Sequence, residues 1–261
     1  RSPTSTALYI AGAVLYGVVF LKNAWVGDDA YILFRSLEQL LDGHGPRWNP
    51  HERVQVFTCP LWYGLLGIAG LFSRAHYLNS MILSAACNGL LLWNLARLLP
   101  NARHWFLAIL LLVFSQAYFD FTSSGLENPL AYCLLSFIAR FYLKRESLPS
   151  TYTNTGLAIT AGLLLVTRHD LLLFVAPLLL HQLAIAAREH GIRHLLQLLV
   201  LVLAPLLLWS VFSLLYYGFL FPNTAYAKLG GLVTRTELLG RGIVYFSTSF
   251  LRDLVSITLL L

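Results

Sequence analysis

The sequence predicts an all-α polytopic membrane protein, a helical bundle with about eight spans and juxtamembrane helices in its first outer loop. Three observations predict it. Of 261 residues, 57% are hydrophobic and only 11% are charged, where a soluble domain carries roughly 25%. Mean hydropathy is +0.68. Lysine and arginine collect in alternate short loops between apolar runs, as the positive-inside rule requires of a multi-pass chain.

The apolar runs are 7–26, 60–73, 76–97, 104–119, 129–143, 156–167, 171–187, 195–219 and 243–261. A helix needs about 20 apolar residues to span. The first run is not followed by a small-residue cleavage site and reads as a retained span. Run 60–73 is short and opens with Pro60, which suits an interfacial or re-entrant helix. If it does not span, loops 97–104, 140–150 and 188–194 share one side, with seven Lys/Arg against two acids. That side is then cytoplasmic. Segments 27–75, 120–128, 168–170 and 220–242 share the outer side and hold nine of the twelve acids. The chain reads as one transmembrane domain over 1–261, with 27–75 as its first outer loop. It lacks an initiator Met and ends inside Leu259-Leu260-Leu261, and is read as a piece of a longer chain.

Within that outer loop, Ala30, Leu33, Phe34, Leu37, Leu40 and Leu41 recur at helical spacing, opposite Arg35, Glu38, Gln39 and Asp42. The pattern predicts an amphipathic helix along the membrane interface, ended by Gly43-His44-Gly45-Pro46. Net charge is +6. Orientation in the membrane explains the basic residues, so nucleic acid is not implied as a partner; membrane lipids are. The three cysteines form no CxxC and no Cys/His metal spacing. Cys87 and Cys133 read as packing residues and Cys59 as a loop thiol. His181 reads as a packing histidine. No P-loop, GxGxxG or HExxH occurs.

Four outer constellations carry candidate chemistry. Asp28-Asp29 directly follows the first run. Asp29 is suited to cap a helix starting at Ala30; a carboxylate at a membrane edge is also suited to general-base work on a hydroxyl nucleophile. Thr122 to Pro129 joins two runs, with Gly125 and Pro129 as turn residues and Glu127 as an acid where a span starts. Arg168-His169-Asp170 interrupts two runs, either as a tight polar turn or as a cationic group facing an anionic headgroup. Pro222 to Lys228 ends in a lysine that either snorkels at the interface or binds phosphate. His44, in a glycine-rich turn, is a candidate for holding substrate.

These blocks carry a resemblance. Gly27-Asp28-Asp29-Ala30-Tyr31-Ile32, Gly43-His44-Gly45, Trp48-Asn49-Pro50, Glu52-Arg53-Val54 and Thr58-Cys59-Pro60-Leu61-Trp62 resemble the opening of GT-C membrane glycosyltransferases. So do Ser124 to Leu130 and Pro222 to Lys228, in the same order, and the similarity is to the bacterial arabinofuranosyl (pentosyl) branch. Two departures stand out. Arg168-His169-Asp170 has His where such proteins often have Pro, and Cys59 stands where a small hydroxyl residue is expected.

The resemblance implies a GT-C-like helical bundle in the bacterial inner membrane, with its active site facing the periplasm. It implies inverting transfer of a sugar, such as arabinofuranose, from a polyprenyl-phosphate donor to a hydroxyl of a glycan or protein acceptor. Asp28 is then expected as the base with Asp29 as its alternate or helper. Arg168, His169 and Lys228 are expected to face the lipid phosphate, with Asp170 in the same turn. Glu127 and Asn223 are expected to bind sugar hydroxyls or a divalent cation, the latter through Asp29 and Glu127. The alternative class is a flippase or transporter of lipid-linked sugars, and a third is a non-catalytic membrane scaffold. The clustering of ionisable groups at one edge, with no matched pair of broken helices, argues against a transporter.

Overall fold

The computed structural model describes residues 3–220 and 234–253, together with 255 and 258. The helices are α1 (Pro3–Lys22), α2 (Asp28–Leu41), α3 (Pro60–Phe72), α4 (His76–Leu98), α5 (Ala102–Phe114), α6 (Gln116–Phe119), α7 (Asn128–Leu143), α8 (Ser150–Leu165), α9 (Leu172–Tyr217) and α10 (Arg235–Arg252), with a 3₁₀ turn at His169–Leu171. Among the described residues there is no strand beyond one bridge between Asn49 and Glu52.

The protein is a helical membrane protein. Among the described residues, three helical stretches are long and apolar enough to cross a bilayer: α1, α4 and His169–Tyr217. Helices α5, α7 and α8 have 13, 16 and 16 residues, short of the roughly 20 that a full span uses. Helical length alone therefore does not carry the expected eight spans.

Helix α9 is not one rod. Gly191 has φ 77° and ψ 179°, a conformation that glycine alone adopts without steric cost. The chain reverses there. Before the break, Ser150 meets His190 and Asn154 meets Gln182, antiparallel to α8. After it, Gly162 faces Leu201 and Val202, so residues 192–217 run alongside α8.

Contacts also set the direction of the other helices. Tyr16 of α1 donates to Asn88 of α4 and lies 5.5 Å from the Phe119 ring, tilted against it, while Tyr9 lies 5.1 Å from Trp105. Helix α1 is thus antiparallel to α4 and parallel to α5. Two ends result. The chain around Gly27, Leu61, Ser124, Gly125 and Val166 is tied together at one end by backbone and indole hydrogen bonds. The turns after α4 and α7 and the break at Gly191 lie at the other.

Helix α3 lies parallel to α2: Ser36 contacts Tyr63, Leu37 and Leu40 approach Gly67, and Leu41 approaches Gly70. The expected amphipathic helix is present. The apolar face of α2 is covered by protein, with Ala30, Leu33, Phe34 and Leu37 buried, because α3 supplies Trp62, Tyr63 and Leu66 as its partner. Run 243–261 is described in part, and its residues 243–252 belong to the amphipathic α10, which begins at Arg235 and ends at Arg252 with Asp253 as its C-cap. Thr234, whose hydroxyl accepts from the Glu237 amide, forms the T-x-x-E start signal that apolar counting overlooks.

Helix α4 buries a polar stripe of Asn79, Ser80, Ser84, Asn88 and Asn94. Buried amides are tolerated when bonded. Asn88 uses both ends: its Oδ1 accepts from Tyr16 and Tyr118, and its Nδ2 donates to the carbonyls of Ser84 and Thr122. It therefore ties α1, α4 and α6 to the loop before α7. Asn88→Leu leaves the Tyr16 hydroxyl and Thr122 carbonyl without this partner. A loss of roughly 2–3 kcal/mol is expected, read by thermal unfolding in detergent.

Candidate active site

Three helix starts converge on one cavity. Asp29 and Ile32 of α2, Val56 to Cys59 before α3, and Leu126 and Glu127 before α7 line a space of about 300 Å³. None of α2, α3 and α7 has a side-chain hydrogen bond capping its N-terminus. Such ends carry partial positive charge, and so favour carboxylates and anionic ligands nearby.

The aspartates are not caps. Gly27 is the N-cap and α2 starts at Asp28, so both acids sit in the first turn. The Asp28 Oδ1 accepts from the Asp29 amide at 3.0 Å, and both residues are exposed. Only Asp29 lines the cavity. One residue along a helix is a rotation of about 100°, which separates the two carboxylates.

The loop bearing Glu127 is pinned from several sides. Gly27 N–H donates to Ser124 O at 2.9 Å, Trp25 Nε1 to Asp120 O at 2.7 Å, and Trp62 Nε1 to Gly125 O at 3.0 Å. Gly125 has φ +80°, and a Cβ there would lie 2.9 Å from Ala30 Cβ and 3.0 Å from Val26 Cγ1. It is a loop residue, since α6 ends at Phe119 with Asp120 as its cap. Gly125→Ala combines left-handed backbone with a clash on α2. A loss of about 1–3 kcal/mol in unfolding free energy is expected, measured by denaturant titration.

Arg168 closes the far side of Glu127. Its Nη1 donates to Asn128 Oδ1 at 2.9 Å, its Nη2 and Nε hold Asp170 at 2.7 and 3.1 Å, and Glu127 Oε1 lies 3.8 Å away. The Glu127 side chain is 13% exposed. The Asp170 hydrogen bond, more than the Glu127 charge, holds the Arg168 guanidinium firmly protonated. His169 is exposed and its Nδ1 turns back to Leu165 O at 3.1 Å.

Cys59 is a free thiol of the loop before α3, and a buried one. It is the buried N-cap residue of α3. Burial pushes its thiol well above the ordinary range, and the Glu127 carboxylate beside it adds to the shift. Alkylation of folded protein by iodoacetamide is expected to spare Cys59 until denaturant is added; mass spectrometry of tryptic peptides reads this directly.

The structure thus brings together Asp29, Glu127, Arg168 and Asp170. His44 lies beyond the opposite end of α2, about 15 residues and so roughly 20 Å from Asp29, and exposed. It does not join the cavity. His181 is also exposed, with its Nδ1 3.2 Å from the Tyr142 hydroxyl. Asn223 and Lys228 lie outside the described residues. Asn128, which orients Arg168, was missed by the sequence reading; its signal is an amide at a helix start directly before Pro129. Asp29 and Glu127 could supply two oxygens to a divalent cation. Among the described residues no cluster of three or more potential protein ligands exists.

No protein-family model matches the chain, and no solved structure matches it. It is 31% identical over 238 residues to a terminal beta-(1->2)-arabinofuranosyltransferase of Mycobacterium tuberculosis, covering 84% of this chain and 37% of that protein. It is 28% identical over 240 residues to a protein of the same description from Corynebacterium glutamicum, covering 78% of this chain and 33% of that one. The chain spans about a third of the length of these curated relatives. Over most of its own length, then, it is related to terminal beta-(1->2)-arabinofuranosyltransferases.

Proposed function

We propose that the chain carries the catalytic cavity of a membrane glycosyltransferase that moves a pentofuranose, such as arabinofuranose, from a polyprenyl-phosphate donor to a hydroxyl of a glycan or protein acceptor. The observation that carries this reading is one cavity holding Asp29 and Glu127, with Arg168 behind them, in a chain related to arabinofuranosyltransferases. Asp29 takes the proton from the acceptor hydroxyl. The oxygen attacks the anomeric carbon from the face opposite the lipid phosphate, with inversion. The carbon–oxygen bond to the phosphate breaks, and polyprenyl phosphate leaves with the bonding electrons. Its developing negative charge is met by Arg168, by the uncapped helix starts and, from outside the described residues, by Lys228. Glu127 and Asn223 accept from or donate to sugar hydroxyls.

Asp28, at first the favoured base, becomes the helper in this reading because its carboxylate lies off the cavity and contacts its own helix start. His169 serves the headgroup only from the exposed rim. A bound divalent cation would neutralise phosphate charge; the proton transfer itself needs none. We take α1, α4, α5 with α6, α7, α8 and the two halves of α9 as crossing segments of the inner membrane. The loops richest in Lys and Arg then face the cytoplasm, and the cavity faces the periplasm. The test is transfer in proteoliposomes supplied with polyprenyl-phospho-arabinofuranose and an arabinan oligosaccharide. Elongated oligosaccharide is expected; movement of the lipid between leaflets with no elongation would make the protein a flippase.

A further inference from the structure

At the opposite end of the bundle, α1, α4 and α5 enclose a groove of about 510 Å³ lined by Tyr9, Ala13, Gly89, Trp93, Arg97 and Trp105. Its middle is shallow: Ala13 and Gly89 are exposed small residues, and a Cβ at Gly89 would meet nothing within 4 Å. Trp93 stands at its edge, 46% exposed. The Arg97 guanidinium lies 5.6 Å from the centre of the Trp93 ring, and that of Arg140, from α7, lies 5.3 Å from the same ring. Arg140 also donates to the neutral Asn94 Oδ1 at 3.1 Å. Among the described residues neither arginine pairs with a carboxylate; the ion pairs lie elsewhere.

Two cations held on one indole, without a counter-charge, beside an apolar groove between helices are a specific arrangement. The indole fixes both guanidinium groups through cation–π contact, so little side-chain freedom is lost when a ligand arrives. Guanidinium forks match phosphate oxygens, and an apolar trough beside them matches an acyl chain. Basic pockets between transmembrane helices bind anionic lipid headgroups on these grounds. A zwitterionic lipid would leave its own cation facing two arginines.

We infer that this groove is a binding site for an anionic phospholipid, with its phosphate at the cationic cluster of Arg97 and Arg140 on Trp93 and one acyl chain lying along Ala13 and Gly89. The site is separate from the cavity at Asp29 and does not depend on the reading of that cavity.

The test is native mass spectrometry of the purified protein released from mixed micelles of phosphatidylglycerol and phosphatidylcholine. Wild type is expected to retain phosphatidylglycerol preferentially, and Arg97→Gln with Arg140→Gln is expected to lower that preference roughly tenfold or more. Gly89→Leu fills the groove while keeping both charges, and is expected to weaken retention with no loss of thermal stability. Equal retention of the two lipids, or an unchanged preference in both variants, overturns the inference. So does protection of Trp93 from quenching by brominated phosphatidylglycerol, which would mean that protein rather than lipid covers the groove.

Discussion

Asp29→Asn is expected to slow glycosyl transfer by roughly 10²–10⁴-fold, the range that general-base catalysis contributes. The amide keeps the shape of the carboxylate and its place on the cavity wall, but cannot take the acceptor proton. Its effect on folding should be small. Loss of one charge in the first turn of α2 costs about 0.3–1 kcal/mol, and the side chain is exposed. A fall in kcat with little change in thermal stability or in KM for the donor is the expected pattern. Asp28→Asn is the internal control. Its carboxylate faces its own helix start, so its loss is expected to cost far less than that of Asp29. Steady-state transfer assays on matched amounts of folded protein separate the two.

Arg168→Gln is expected to be nearly as damaging, roughly 10²–10³-fold in transfer, the size of effect seen when one preorganised donor to a developing anion is removed. Charge and shape both matter here. The guanidinium holds Asp170 through two nitrogens and Asn128 through a third, and stands 3.8 Å from a Glu127 carboxylate that is mostly shielded from water. Arg168→Lys restores the charge without the planar fork, so partial recovery is expected. The stability effect should again be modest, since the Arg168 side chain is 35% exposed and half-exposed ion pairs contribute little. A donor KM that rises as kcat falls would place the arginine on the lipid phosphate.

Much of this site was legible because a membrane constrains where charge can go. Acidic residues at Asp28, Asp29, Glu127 and Asp170 interrupt or flank apolar runs, and few positions exist where that is tolerable. The amphipathic period of α2 and the proline start of α3 were legible from local sequence as well. What was not legible depends on tertiary contact. The choice between Asp28 and Asp29 turns on the rotation of α2, which α3 sets by covering Leu33 and Leu37. The burial of Cys59 was not legible because its segment is irregular; Phe57 stacks on Tyr63 at 4.0 Å and draws the segment inward. His44 looked near the site because it belongs to the same loop, but a whole helix stands between them. Asn88 lies in an apolar run, and only its four partners reveal that it braces the Glu127 loop.

The most direct measurement is an electron cryo-microscopy map of the protein bound to a non-transferable polyprenyl-phospho-arabinofuranose analogue. The expected map has the anomeric carbon in the cavity within reach of Asp29, the sugar hydroxyls at Glu127 and the phosphate on the Arg168 side. A headgroup bound elsewhere, with Asp29 and Arg168 both remote from it, would contradict the assignment of this cavity.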